Sequence, residues 1–175
     1  MPNWCMNSIT VSHENPEMIQ KFATAMKDEN LFQTFVPNPS GDWDYYWSIE
    51  NWGTKWDVCN TDFTIDTDNT TGYGSFDTAW GPPINFYEKL EELGFDVDAT
   101  YFEPGMCFAG HYFEGNDNYY EYDFSDPDWA DAIEDSDVVE LLQSEYESWL
   151  EWQEDEEDYD DDTDEEPSEE SGKDS

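Results

Sequence analysis

The excess of acidic residues limits what this chain can fold into more than any other feature of its sequence. Forty-six Asp and Glu stand against five Lys and no Arg, so the formal net charge is −41 over 175 residues. Like charges at this density repel one another and destabilise a compact state. A folded core therefore needs a large opposing contribution from apolar burial. Nine Trp, eleven Tyr and eleven Phe can supply it, since each buried ring removes about 150–250 Å² from water.

The negative charge divides between a body and a C-terminal tail. Residues 151–175 hold fifteen acids and Lys173, which leaves −27 of the −41 on residues 1–150. A compact domain of that size is about 38 Å across, and duplex DNA of this length carries about 22 phosphate charges. Body and duplex are thus matched in charge per length. Basic proteins are the partners that this charge favours, whereas nucleic acid and anionic membranes are repelled.

Hydrophobic periodicity predicts an α+β fold whose main domain covers residues 1–125. The predicted elements are strand 5–12, helix 16–27, strands 54–66 and 73–80, helix 84–93, and strands 95–101, 106–110 and 119–124. This is the βαββαβ order of a ferredoxin-like sandwich with an extra strand or hairpin. We expect parallel and antiparallel neighbours to mix in its sheet. Between the first helix and the hairpin, prolines and a glycine predict a loop or edge segment over 31–41, and residues 42–52 predict a short irregular element.

An amphipathic helix is predicted after the sheet, within a C-terminal helical extension over residues 126–152. Val138, Leu142 and Tyr146 lie on its apolar stripe, which runs from 137 to about 152. Acids surround the stripe with no Lys among them, and this pattern favours a functional face over a merely solubilising one. Residues 153–175 are a like-charge run of low complexity and predict a disordered acidic tail.

Four sequence strings resemble one protein family. They are MPNWC at 1–5, NWGTKWDV at 51–58, SFDTAWGPPI at 75–84 and YFEPGMCFAG at 101–110. These strings are similar to those of YubB-like, ferredoxin-like proteins of phages and plasmids, and the resemblance covers about residues 1–115. It implies an α/β sandwich and an accessory protein of a mobile element. It implies no reaction and no catalytic residues.

Residues that carry chemistry are few and poorly spaced. Three isolated cysteines form no disulfide framework, and neither a leader nor a long apolar run is visible, so we predict a location in the host cell cytoplasm. The cysteines with His13 and His111 lack the spacing of zinc ligands, and residues 66–77 lack the glycine of a calcium loop. No nucleophile with its base and no phosphate-binding loop is recognisable. The prediction is therefore no enzyme, no metal and no cofactor.

Partner binding is the function that the sequence favours, because acids and aromatic rings are mixed in residues 42–47 and 116–129. Rings concentrate at the centres of protein interfaces, and acids pair with Arg and Lys. The alternative is that these rings fill the core beneath a charged rim. The candidate partner-binding residues are Asp42, Trp43, Asp44, Glu121, Asp123, Asp126, Asp128, Asp131, Glu134, Asp135, Asp137, Glu140, Glu145 and Glu147.

The leading hypothesis is a phage- or plasmid-encoded acidic protein that mimics nucleic acid. Its carboxylates would occupy Arg and Lys of a host DNA- or RNA-binding defence protein, such as a nuclease or a CRISPR-type effector, and inhibit it. The alternative is an acidic chaperone or assembly factor that buffers basic partners with its tail. A halophilic protein without a partner, a small hydrolase and a sugar-binding module rank lower.

Overall fold

The chain folds around one six-stranded antiparallel sheet. The computed structural model describes the backbone of residues 2–161 and the side chains of residues 2–156. The strands are β1 Trp4–Ser12, β2 Cys59–Ile65, β3 Thr71–Ala79, β4 Asp96–Glu103, β5 Phe108–Phe113 and β6 Asn116–Glu121. Their spatial order is β2-β3-β1-β4-β5-β6.

All five neighbouring strand pairs are antiparallel, so the predicted mixture of parallel and antiparallel neighbours is wrong. The strands joined through helices do run parallel, but another strand separates the members of each such pair. Strand β3 lies between β1 and β2, and β1 lies between β3 and β4. The α+β class and the C-terminal helix are confirmed.

The described residues include five α-helices, two of which differ from the sequence prediction. They are α1 Pro16–Lys27, α2 Leu31–Phe35, α3 Tyr45–Trp52, α4 Ile84–Glu92 and α5 Ser136–Asp161, with a 3-10 turn at Trp129–Ala132. Helix α2 forms in the predicted loop because the Asp57 carboxylate accepts the backbone N–H of Phe32 at 2.9 Å and of Gln33 at 3.0 Å. Helix α3 begins where Asp44 accepts the N–H of Trp47 at 2.8 Å. The cap of α2 comes from far along the chain, so no local pattern reveals it.

The main core lies between one face of the sheet and helices α1 to α4. Ile9 and Val11 of β1 point to this face and are buried. Aromatic rings fill the space above them: Phe32 lies 4.6 Å from Phe86 and 5.5 Å from Trp52, centroid to centroid. Burial of these rings opposes the charge repulsion that the composition implies.

A second, smaller core lies on the opposite face of the sheet, beneath α5. Phe102 of β4 and Ala109 of β5 project to that side, where they meet Val138 and Leu142 of the helix. Trp129, from the segment between β6 and α5, is also buried there. The predicted apolar stripe is thus the docking side of α5, and the extension predicted over 126–152 packs on β4 and β5.

Helix α5 ends at Asp161, so residues 153–161 are helical where the sequence predicts a disordered tail. The reason is cooperative: once the docked turns have nucleated the helix, each further residue adds a hydrogen bond, and Glu has a good helix propensity. The rest of the predicted tail, 162–175, lies outside the described residues. Within the described part, no helix is both long enough and apolar enough to cross a membrane.

Candidate interaction surface on the C-terminal helix

Asp135 attaches the first turn of α5 to the sheet. Its Oδ1 accepts the backbone N–H of Asp137 at 2.9 Å and that of Val138 at 3.4 Å, as in a helix N-cap. Its Oδ2 lies 2.7 Å from Nδ1 of His111 on β5. One carboxylate therefore both caps the helix and holds it against the strand.

His111 lies between two carboxylates, and we call Asp98, His111 and Asp135 the His111 clamp. The imidazole side chain is 9% exposed, and its Nε2 lies 2.6 Å from Oδ1 of Asp98 on β4. Ionised carboxylates only accept hydrogen bonds, so both ring nitrogens donate and the ring is positively charged. The clamp joins β4, β5 and α5 through one buried cation.

The pKa shifts in the clamp agree with this charge assignment. Burial lowers the pKa of His111, but the hydrogen bonds to Asp98 and Asp135 outweigh burial, and the net shift is upward. Burial raises the pKa of Asp135, but the bond from His111 and its charge outweigh that effect, so the net shift is downward. Each partner stabilises the ionised form of the other.

The candidate acids of α5 are mostly exposed. Glu140 and Glu147 are exposed and Glu145 is half-buried. Asp137 is exposed as well, but its carboxylate lies 3.9 Å from Nδ1 of His111, and Asp135, which precedes the helix, belongs to the clamp. No Lys lies in α5. Where side chains are described, the one Lys–carboxylate ion pair joins Lys89 and Glu92 of α4, with an N–O distance of 3.6 Å.

The remaining candidate acids lie at the end of β6 and on the connection from β6 to α5. They are Glu121, Asp123, Asp126, Asp128, Asp131 and Glu134, and all six are exposed. Asp123 and Asp126 also hold the turns, by accepting the N–H of Ser125 and of Asp128, each at 2.9 Å. Hydrogen bonds from Ser125 lower the pKa of Asp123. The connection therefore continues the acidic surface of the helix.

Most rings of the 116–129 stretch fill the second core and are not exposed. Tyr122 and Trp129 are buried, and Phe124 packs 5.3 Å from both Trp129 and Tyr146. Tyr119 is the exception, with 51% exposure. For residues 116–129, the alternative interpretation therefore applies: most of the rings fill a core beneath charged residues.

The fourteen candidate residues do not form one surface. Asp42, Trp43 and Asp44 precede α3, which packs on α4. Glu121 is the last residue of β6 and pairs with Phe108, so its side chain points to the face opposite α5, and the other ten belong to the α5 side of the sheet. Trp43 is 56% exposed, although its Nε1 donates to the carbonyl of Lys55 at 2.9 Å. Tyr45 and Tyr46 of α3 are also exposed, at 45% and 82%, and their ring centroids lie 5.3 Å apart.

His111 is the residue at this surface whose role the sequence did not predict. From the sequence, His111 could be considered only as a zinc ligand with unsuitable spacing. Its two carboxylate partners lie 13 and 24 positions away, so no local pattern reveals them. In the part of the chain with described side chains, the set that could hold a metal ion is His111, Asp135 and Asp137, whose ligand atoms lie within 4.8 Å of one another. Imidazole with carboxylates suits a divalent transition metal. No cysteine belongs to this set.

The clamp geometry also limits what His111 can do in catalysis. A general base needs a free ring nitrogen within hydrogen-bond reach of the proton that it removes. Both nitrogens of His111 are occupied by carboxylates at 2.6 and 2.7 Å. The arrangement is that of a structural cation and not of a base beside a nucleophile.

Comparisons with known proteins provide little further information. No family model and no curated protein matches the chain. Protein api92 from Yersinia pseudotuberculosis, whose crystal structure is assigned to the family DUF1281, is similar at 20% identity with a TM-score of 0.36. The match covers 45% of this chain and 30% of that protein. At this level the similarity supports no inference about function.

Proposed function

We propose that this protein is an acidic interaction protein that binds a basic nucleic-acid-binding protein and competes with nucleic acid for it. One observation carries the proposal: α5 docks by its apolar side and presents carboxylates outward with no Lys among them. We call the exposed acids Asp137, Glu140, Glu147, Glu151 and Glu154 the α5 acidic surface.

The charge density of α5 supports the proposal. The α5 acidic surface contains five exposed acids between Asp137 and Glu154. At 1.5 Å per residue they cover about 26 Å, or one carboxylate per ~5 Å of helix. One strand of duplex DNA carries a phosphate every ~3.4 Å along the helix axis. Arg and Lys arranged to contact one strand would therefore meet carboxylates at a charge density of the same order.

We further propose a ferredoxin-like topology for the first four strands. The chain order β1-α1-β2-β3-α4-β4 and the strand order β2-β3-β1-β4 support this assignment. Strands β5 and β6 and helix α5 are then additions to that unit. On the resemblance of the four YubB-like strings we propose a phage or plasmid accessory protein, and as its target we propose a cytoplasmic defence protein of the host.

Competition with DNA tests the proposal directly. A fluorescent DNA duplex is bound to a purified CRISPR-type effector or defence nuclease, and its displacement by the protein is followed by anisotropy at 50 and 300 mM salt. We expect displacement together with inhibition of cleavage, and a steep loss of affinity at the higher salt concentration. Displacement that does not depend on salt would refute mimicry.

A matched pair of variants distinguishes the effect of the α5 acidic surface from the effect of total net charge. The double variant Glu140→Lys/Glu147→Lys reverses two charges on the α5 acidic surface, and we expect it to lose displacement. Glu17→Lys/Glu88→Lys makes the same change in net charge at exposed positions of α1 and α4, and we expect it to retain displacement. Equal loss in both would mean that total charge alone acts.

The chaperone alternative is tested by truncation. Because α5 continues to Asp161, the deletion that spares the helix removes residues 162–175 and not the whole predicted tail. Mimicry by the α5 acidic surface survives this deletion, whereas binding driven by the C-terminal acidic run does not. The readout is the same displacement assay.

A further inference from the structure

The half of the second sheet face that α5 leaves uncovered contains a groove. Three concavities of about 370, 420 and 630 Å³ adjoin one another: the first two share Thr10 and Asp98, and the last two share Ser12 and Asp96. The first lies on that face, and the other two continue around the strand ends to Glu91 of α4 and to the loops at His13 and Gly94. They form one continuous depression, which we call the sheet groove. It runs from Tyr73 on β3 past the ends of β1 and β4.

The lining of the sheet groove carries negative charge without a compensating Lys. Its carboxylates are Glu14, Glu91, Asp96, Asp98 and Glu114. Asp98 is partly offset by His111 through the clamp. His13 also lines the groove, but its Nδ1 accepts the N–H of Asn15 at 3.0 Å while Nε2 lies 2.9 Å from the carbonyl of Leu93. Both ring nitrogens of His13 are therefore engaged by backbone groups.

Hydroxyl groups and aromatic rings of the sheet groove can also contact a cation. Within the described residues, the hydroxyls of Ser8, Thr10 and Thr100 make no side-chain hydrogen bond and are free to accept from a guanidinium or an ammonium group. Tyr73, 52% exposed, and Phe113, 45% exposed, present aromatic rings, which attract cations over their faces. Strand β1 is paired with β3 and β4, so its backbone cannot pair with a further strand. A ligand in the groove would therefore be recognised by side chains.

We propose that the sheet groove binds an extended segment rich in Arg and Lys. Charge complementarity identifies the occupant, since five carboxylates, free hydroxyls and two exposed rings converge on a surface with no Lys. From Ser8 to Glu14 the groove is about 20 Å long, which accommodates about six residues of extended chain. The inference rests on the proposed function for a basic partner, but it assigns that partner a second contact on a different surface.

A synthetic peptide tests the groove without any natural partner. The probe is a nine-residue peptide of alternating Arg and Lys, with a Gly-Ser peptide of equal length as the comparison. Its binding to the full chain is measured by calorimetry at 20 and 500 mM salt, and its site is mapped by amide chemical shifts. We expect binding at low salt with the largest shifts at Thr10, Ser12, Asp96 and Asp98. Shifts confined to α5, or no binding of the basic peptide, would overturn the groove assignment.

Matched variants complete the experiment. Asp96→Asn/Glu114→Gln neutralises two exposed groove carboxylates, and we expect at least a fivefold loss of peptide affinity. Glu17→Gln/Glu50→Gln changes net charge equally at exposed positions of α1 and α3, outside the groove, and should leave the affinity within twofold. Equal losses in both would overturn the groove. If the peptide binds in the groove but the protein does not displace DNA from a defence protein, the proposed function is refuted and the groove is not. If the protein displaces DNA but the peptide does not bind in the groove, the groove is refuted and the proposed function is not.

Discussion

Replacing His111 by Gln removes the cation that joins α5 to the sheet and leaves a neutral side chain of similar reach. A hydrogen bond to a charged group is worth about 1.5–3 kcal/mol. Asp135 is 17% exposed, so its bond retains that value, whereas Asp98 is 48% exposed and its pair contributes about 0–1 kcal/mol. The docking free energy of α5 should fall by about 1.5–4 kcal/mol, which is a roughly 10- to 900-fold rise in the undocked population.

The pH dependence of docking has a definite sign. The pKa of His111 in the folded protein lies above its ordinary value of 6.5, so its contribution is fully present below pH 6.5 and is lost as pH rises through the raised pKa. The pKa of Asp135 lies below its ordinary value of 3.8, so its contribution is present above 3.8 and is lost as pH falls through the lowered pKa. Asp137, whose carboxylate lies 3.9 Å from His111 Nδ1, also faces the ring and favours its charged form. The clamp should therefore be strongest between pH 3.8 and 6.5.

Hydrogen–deuterium exchange of the α5 amides between residues 138 and 149 is the suitable assay, because it reports local opening. After correction for intrinsic rates, exchange should accelerate on raising the pH from 6 to 9 in the natural protein. In His111→Gln it should already be fast at pH 6. His13→Gln, which removes the other histidine, is the control and should leave α5 unchanged. Slower corrected exchange at higher pH, or equal exchange in the natural protein and His111→Gln at pH 6, would refute the clamp.

Three further predictions concern packing and capping. Gly110→Ala places a methyl group against the Tyr101 hydroxyl and should lower the free energy of unfolding by about 1–3 kcal/mol in urea titrations, whereas Gly81→Ala, with no atom within 4 Å, should be near neutral. Leu142→Ala empties a fully buried site beneath α5 and should cost about 2–5 kcal/mol; a loss below 1 kcal/mol would contradict docking. Asp57→Ala removes the acceptor for two α2 amides and should cost about 1–3 kcal/mol with loss of helical circular dichroism.

Local periodicity was sufficient to predict several elements of this fold. Strand 5–12 corresponds to β1 at Trp4–Ser12, and Asn15 with Pro16 predicts the start of α1. The stripe through Val138 and Leu142 predicts the buried side of α5. These predictions succeed because alternation and helical spacing are properties of neighbouring residues.

Predictions failed where a distant group decides the outcome. Helix α2 depends on a carboxylate 25 positions away, at Asp57. The end of α5 depends on how firmly its first turns are docked, because helix propagation is cooperative. The candidate residues around Trp43 and around Glu140 have a similar mixture of acids and aromatic rings in sequence. In the fold they lie on opposite sides of the sheet, because α3 packs on α4 and α5 packs on β4 and β5.

Composition and short-range pattern are enough to establish the α+β class, the acidic character and the need for an aromatic core. Which acids share a surface, which rings are exposed and which histidine lies between carboxylates depend on how distant segments pack together. His111 receives Asp98 and Asp135 from two other elements, and the sheet groove draws its carboxylates from separate strands, helices and turns. Electrostatics act through space, so charges far apart in sequence combine only once the chain has folded.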